Sequence, residues 1–368
     1  MRFTLLWILR HDSRRVLMIP RSLFPLLQCP TCSSRALVVR AEGVHCTTCN
    51  NLYGFHAGYI DLMPRGVAFD YISKYVSEEQ ALAEELDYRP MAPPLLAAGV
   101  RDRTLRRLLA FQPSDIALDN GCGNGRHAVW NGDRVGLMVG SDPATLFADL
   151  AIERIALAKA DSRRLPFADN RFDKAFSVDI LEHFPIEVID AYLSETARVL
   201  RPGGRMAIFS NTRERSPIQP IIDISRKLGR LFVRAGVYDF EREARRKSDH
   251  LKALATWEQV LAAVERAGLR PVRVIFWNSL VTTFVEHVAM KLGEALLGRR
   301  KAKRGQAADA GAGTARELRA RQRMRGYLEH RGGVYYALLA LTLLMELDLL
   351  LFGWMRCGSY FLLVEKPS

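Results

Sequence analysis

Leu118-Asp119-Asn120-Gly121-Cys122-Gly123-Asn124-Gly125 is the stretch that decides how this chain folds. It follows a short apolar run, Ile116, Ala117 and Leu118. Glycine adopts positive φ without steric cost and lets a ligand come close to the backbone. A strand feeding such a turn, with a helix behind it, builds a nucleotide-cofactor site in an α/β sheet. The glycines alone are equally compatible with a plain tight turn, so the residues that follow carry the decision.

Residues 136–140 read as a second buried strand, ending at Ser141 and Asp142, 23 positions past Asp119. An acidic residue about 20 positions beyond the glycines can accept hydrogen bonds from ribose hydroxyls. Residues 155–158 form a third apolar run leading to Asp161 and Ser162, and residues 174–178 a fourth ending at Asp179. Each strand thus delivers a polar residue at its carboxyl end, where open α/β sheets bind ligands. One such aspartate is unremarkable in a surface turn; four in this order point to a cofactor cleft.

The ordered motifs resemble class I S-adenosylmethionine-dependent methyltransferases of the type 11 kind. Residues 118–125 are similar to the family's first motif, and residues 160–173 resemble the segment around its third strand. Leu181-Glu182-His183 and residues 198–204 match two further signatures, the second being the turn into a fifth strand at 205–209. The likeness covers residues 100–210 and weakens after Ser210; Asn120 departs from it, standing where the family has an apolar side chain. The resemblance implies S-adenosylmethionine as cofactor. Gly121, Cys122, Gly123 and Gly125 would pass its methionine part, Asp119 its amino end, Asp142 the ribose, and Asp161 with Ser162 the adenine. Asp179 would stand near the sulfonium. Methyl transfer is an in-line displacement at an activated carbon, so alignment supplies much of the catalysis. Where the nucleophile holds a proton, a base is also needed. His183 and His250 are the candidates, with a structural or substrate-positioning role as the alternative.

Four of the six cysteines form Cys29-x-x-Cys32 and Cys46-x-x-Cys49, 13 residues apart. Two such knuckles can wrap one tetrahedral Zn2+ through four thiolates. Two disulfides or four free thiols are the alternatives. No secretion signal is recognisable, and a methyl-donor cofactor belongs to the cytosol, where disulfides are rare, so structural zinc is the expectation. The module resembles the small zinc ribbon that precedes some bacterial methyltransferases.

The expected architecture is a Rossmann-like seven-stranded α/β sheet with an antiparallel last strand, an N-terminal zinc ribbon and a helical insertion before that strand. Residues 1–17 mix apolar and basic groups; they read either as an interfacial helix or as a start-site artefact. The ribbon spans 18–64 and the methyltransferase domain 65–277, with residues 70–112 largely helical. Thr256 is a good N-cap and Gly268 a good stop for a helix between them. Residues 269–277 read as the sixth strand and residues 359–365 as the last, within a final segment 356–368. The insertion, 278–355, carries apolar helical candidates at 280–297 and 334–345 around a basic linker, 298–331. Residues 299–331 hold eleven Lys or Arg against three acids, so much of the formal net charge of +13 is local. That excludes a uniformly basic nucleic-acid binder and marks either a solvated loop or a contact with something anionic. Glu346 and Asp348 make a true membrane span costly. A helical hairpin packed on the domain, or dipping into one leaflet of an anionic membrane, is expected instead.

These features point to a small, lipid-like or lipid-linked methyl acceptor and a cytoplasmic protein held peripherally on the inner face of the membrane. An RNA methyltransferase is the second reading, supported by the ribbon and the basic linker but lacking an aromatic platform for bases. A non-catalytic partner that retains the fold is the third. The sequence fixes neither the acceptor, nor the attacking atom, nor the oligomeric state.

Overall fold

A computed structural model describes residues 20–67, 88–234, 250–290, 328 and 331–368. Residues 1–17, the upstream part of the helical region at 70–112, the far end of the 280–297 helix and nearly all of the basic linker lie outside the described residues.

Four short strands come first, β1 (Leu37–Val39), β2 (Gly43–Cys46), β3 (Leu52–His56) and β4 (Tyr59–Asp61), paired as an antiparallel meander. Then follow α1 (Leu96–Leu109), β5 (Ile116–Asn120), α2 (Arg126–Asn131), β6 (Leu137–Asp142), α3 (Asp149–Arg154), β7 (Ala156–Lys159) and β8 (Phe172–Val178). The next elements are α4 (Ile186–Val199), β9 (Leu200–Asn211), α5 (Gln219–Arg234), α6 (Trp257–Arg266) and β10 (Arg270–Phe276). The chain closes with α7 (Leu280–Phe284), α8 (Gly333–Met345), α9 (Leu347–Phe352) and β11 (Ser359–Glu365). The expected seven strands lie in the order β7-β6-β5-β8-β9-β11-β10, with β11 antiparallel to both neighbours. From β5 the chain winds outward through β6 and β7, then crosses to β8 on the other side. That reversal opens a crevice above β5 and β8.

The apolar pattern explains the layers. All six residues of β6 are buried, as a central parallel strand covered on both faces requires. Val188, Ile189 and Tyr192 of α4 pack with Val260 and Val264 of α6 on one face. On the other face, Val100 and Leu105 of α1 meet Ala128, Ala151 and Met345. Thr256 caps α6 in a reciprocal capping box with Gln259, as its position promised.

The ribbon does more than precede this sheet. Strand β4 pairs in parallel with β7, Ile60 opposite Ala158, so the sheet runs on to eleven strands. Leu23, Tyr53 and Ile60 of the ribbon share one apolar core with Leu118, Val139 and Leu193. Backbone bonds add to the seam: the Gln28 N–H donates to Pro166 O (3.0 Å) and the Ala168 N–H to Leu26 O (2.7 Å). Arg164 Nη2 donates to Thr31 O at 2.6 Å. All three partners outside the ribbon lie in the loop after β7.

Two acids of the insertion turn inward. Asp348 is fully buried and accepts the N–H groups of Val281 and Thr282, both at 2.7 Å, at the start of α7. Glu346 takes Arg103 (3.4 Å) and Arg107 (2.5 Å) from α1. Thr342 accepts the Leu96 N–H at 2.7 Å. The acids that made a span costly thus fasten α8 and α9, Glu346 to α1 of the sheet domain and Asp348 to α7 within the insertion. Asp348→Ala would orphan two buried donors, and urea unfolding should show a loss of about 2 kcal/mol or more. Asp348→Asn keeps an acceptor oxygen and should lose less.

Candidate active site

The glycine turn is fastened to the end of β6. The N–H groups of Gly121 and Cys122 both donate to Ser141 O, at 2.8 and 3.0 Å. The Gly123 N–H donates to Asp142 Oδ2 at 2.8 Å, and Ala144 N–H to Oδ1 at 2.9 Å. Gly123 has φ +53°, and among the described residues a Cβ built on it would meet nothing within 4 Å. Gly125, at φ +80°, is required for another reason: a Cβ there would stand 2.7 Å from that of Ala151, so α3 could not approach. Cys122 is buried, which pushes its thiol well above the ordinary range; it fills space beneath Gly140.

Asn120 departs from the family pattern and has a visible use. It is fully buried, and its Oδ1 accepts from Ser162 Oγ (2.9 Å) and Ser141 Oγ (3.3 Å). Its Nδ2 donates to Thr196 Oγ1 (3.0 Å), and its backbone carbonyl accepts from the Tyr192 hydroxyl (2.8 Å). One side chain therefore ties together the ends of β5 and β6, the loop after β7, and α4. Such a fully satisfied buried network favours a single arrangement of those loops.

The four aspartates behave differently. Asp119 is 2% exposed, and burial, then the nearby Asp142 charge, raises its pKa well above the usual carboxylate value. Asp142 accepts one backbone N–H from the glycine turn and one from its own loop, which fixes the direction of its carboxylate. Asp161 is gripped by Arg163 of its own loop, Nε to both oxygens at 3.1 Å and Nη2 to Oδ2 at 2.8 Å. A contact with adenine there must be shared with that guanidinium. Asp179, at φ +58°, pairs with Arg101 of α1 at 2.5 Å. The Arg101 guanidinium also lies 4.8 Å over the Phe209 ring and 5.6 Å from the Trp277 ring centre. Sequence reasoning missed Arg101, Phe209 and Trp277, because α1, β9 and the end of β10 meet only in three dimensions.

His183 and His250, 67 positions apart, come together with ring centroids 4.7 Å apart. Glu182, quoted in its motif but given no role from sequence, lies beneath them and is 1% exposed. Its carboxylate accepts from Ser210 Oγ (2.6 Å) and Asn211 Nδ2 (3.0 Å), and burial raises its pKa, with the Asp179 charge adding to the effect. His127, on α2, was also missed; it is 5% exposed, and burial holds its pKa well below the usual value.

In the ribbon, the sulfur atoms of Cys29, Cys32, Cys46 and Cys49 all lie within 4.8 Å of one another. Cys29 and Cys49 are 3.5 Å apart, Cys32 and Cys46 3.6 Å. A disulfide would need about 2.05 Å. Corners of a tetrahedron with metal–sulfur bonds of about 2.3 Å are about 3.8 Å apart, close to these spacings. The Tyr53 hydroxyl lies 3.1 Å from Cys29 Sγ, and Asn51 Nδ2 donates to Cys49 Sγ at 3.2 Å. Donors of this kind orient thiolates around a metal.

With this geometry in place, comparison with known proteins bears on the chemistry. Residues 118–208 match the family model of a methyltransferase domain. That segment runs from the glycine turn through most of β9, so the crevice lies in a stretch similar to methyltransferase domains. Methyltransferase GfsG of Streptomyces halstedii is 32% identical over 168 residues, 39% of this chain and 60% of that protein. The 27-O-demethylrifamycin SV methyltransferase of Amycolatopsis mediterranei is 32% identical over 146 residues, 36% of this chain and 48% of that one. The tRNA (carboxymethyluridine(34)-5-O)-methyltransferase ALKBH8 of Mus musculus is 33% identical over 110 residues, 29% and 16% of the two chains. The chain thus spans 60% or less of the length of these relatives.

The raised pKa of Asp119 has a consequence for stability. A carboxylate whose folded pKa lies above its unfolded value costs nothing in acid, and costs progressively more as pH rises through the folded pKa. Asp119→Asn should therefore raise the melting temperature of the ligand-free protein above neutral pH. That advantage should vanish in acidic buffer when thermal unfolding is followed across pH.

Proposed function

We propose that the whole protein transfers the methyl group of S-adenosylmethionine to a small, lipid-like or lipid-linked acceptor at an anionic membrane surface. Asp119 would take the cofactor's amino end, Gly121, Cys122, Gly123 and Gly125 its methionine part, and Asp142 its ribose. Asp161 and Ser162 would flank the adenine. Asp179, held by Arg101, would stand at the sulfonium, with His183 and His250 on the acceptor side. A cationic amine beside Asp119 would offset the cost of burying that charge, so Asp119→Asn should weaken cofactor binding even as it stabilises the empty protein.

One observation carries the membrane half of the reading. On the outward side of α8, α9 and the turn after them, Leu343 (49% exposed), Leu350 (76%), Leu351 (52%) and Trp354 (78%) face solvent. By length and composition Gly333–Phe352 is long and apolar enough to cross a membrane. With Glu346 and Asp348 committed to α1 and α7, a surface-lying pose fits better than a span. Ile221, Ile224 and Leu231 of α5 add exposed apolar side chains beyond it. The basic linker would meet lipid headgroups, which would hold the protein peripherally on the inner membrane face. The rifamycin relative acts on a small molecule by its name, and the ALKBH8 relative on tRNA. The second reading, RNA methylation, rests on that tRNA relative and on the linker's charge.

Incubating the purified protein with methyl-labelled S-adenosylmethionine and cell extract should put label into the organic-soluble fraction; label in RNA would establish the second reading instead. Flotation should recover the protein with anionic vesicles but not neutral ones. A Leu350→Glu, Leu351→Glu, Trp354→Glu variant should stay in solution, and unchanged flotation would sink the membrane half. Failure to bind S-adenosylmethionine in calorimetry would leave a non-catalytic partner.

The four cysteines, we further propose, hold structural Zn2+. Because the ribbon grips the loop after β7, which carries Asp161 and Ser162, its loss should reach the cofactor. Cys46→Ser, or prolonged chelation, should lower S-adenosylmethionine affinity by about tenfold. Unaltered affinity in a metal-free ribbon would refute the coupling.

A further inference from the structure

Glu182, His183 and His250 form a second cluster of metal-ligating groups, remote from the four cysteines. One ligand atom from each lies within 4.8 Å of the other two. They come from two places: the turn Leu181–His183 directly after β8, and the segment that enters α6. The backbone brings these together deliberately. The Lys252 N–H donates to the Glu182 carbonyl at 2.9 Å, with Lys252 itself at φ +47°. A non-glycine residue held in that region costs on the order of 1 kcal/mol and persists only where its surroundings fix it. The bond anchors the chain two residues from His250.

The carboxylate is prepared in the way metal ligands are. Each Glu182 oxygen receives one hydrogen bond, from Ser210 and from Asn211, and the Asn211 amide oxygen in turn accepts from Ser359 Oγ at 2.5 Å. A carboxylate oxygen so oriented keeps a lone pair for a cation, and outer partners of this kind fix ligand direction. Two imidazoles and one carboxylate suit first-row divalent cations. Bonds of about 2.1 Å would set the ligand atoms roughly 3.0–3.4 Å apart. The present spacing, within 4.8 Å, would have to close by side-chain rotation of the two partly exposed histidines when a cation binds.

We propose that Glu182, His183 and His250 bind a divalent first-row cation at the acceptor side of the crevice, and that its open positions receive the oxygen to be methylated. This rests on the methyltransferase reading and narrows it to a hydroxyl acceptor. Three protein ligands leave coordination positions for that hydroxyl. A cation lowers the pKa of a bound hydroxyl, so its proton passes to water as the oxygen attacks. The oxygen lone pair forms the new C–O bond. The C–S bond breaks with its electrons going to sulfur, leaving S-adenosylhomocysteine. In this scheme the two histidines are ligands, and neither accepts the acceptor's proton.

Mn2+ is the probe, because it favours oxygen and nitrogen over thiolate and so ignores a zinc-loaded ribbon. Titrating the full-length, zinc-loaded protein with Mn2+ under electron paramagnetic resonance should show one saturable site per chain. His183→Ala and His250→Ala should each weaken it by about tenfold or more, while calorimetry gives unchanged S-adenosylmethionine affinity. Absence of saturable Mn2+ binding in protein that still binds S-adenosylmethionine overturns the cation site and leaves the methyltransferase reading standing. Binding unaffected by either histidine change overturns it equally. Saturable Mn2+ binding in protein that does not bind S-adenosylmethionine overturns the oxygen-acceptor assignment.

Discussion

The rest of the molecule depends on how the backbone of the glycine turn is tied to the end of β6. Three consecutive N–H groups, from Gly121, Cys122 and Gly123, are spent on Ser141 and Asp142. Buried amides must find partners, and here the partners are the very residues that end the neighbouring strand. The turn cannot relax without stranding them. Asp142 is thereby aimed before any ligand arrives, and catalysis by alignment needs that kind of preparation.

Around this tie the structure places two supports from opposite directions. From within, Asn120 draws the loop after β7 and α4 onto the carboxyl end of β5. From outside, the ribbon holds the same loop through backbone bonds on both sides of Phe167. The glycine turn, Asp142 and the loop carrying Asp161 and Ser162, each proposed to meet the cofactor, therefore sit on segments fixed at more than one point. The proposed acceptor side is built otherwise, from the junction of α1, the turn after β8 and the chain entering α6.

The order of strands was legible because each parallel strand is a continuous apolar run with a polar residue at its end. Residues 359–365 were read as the last strand and form β11 with those bounds. The same pattern placed the glycines, Asp119, Asp142 and Asp179 at the carboxyl ends of strands, where the structure has them. Contacts between segments distant in sequence were not. Nothing near Asp179 announces Arg101, and the Arg163 grip on Asp161 is a rotamer choice that periodicity does not encode. Asn120 looked like a defect in a motif until its four partners were visible. The ribbon read as a separate module because its cysteines are self-contained; only pairing with β7 reveals the shared core. The insertion's acids could be read in the sequence as a cost against a span, but the amides they satisfy could not.

The eleven-stranded sheet ends in two unlike borders. At one, β1 is three residues long; at the other, β10 carries Pro271, a break in register before Arg273, and exposed arginines. A short strand, a missing donor and fixed positive charge each discourage another chain from adding a strand there. Had the ribbon been absent, the bare flank of β7, an apolar parallel strand, would have become such a border. The four-cysteine module thus doubles as a guard against edge-to-edge aggregation.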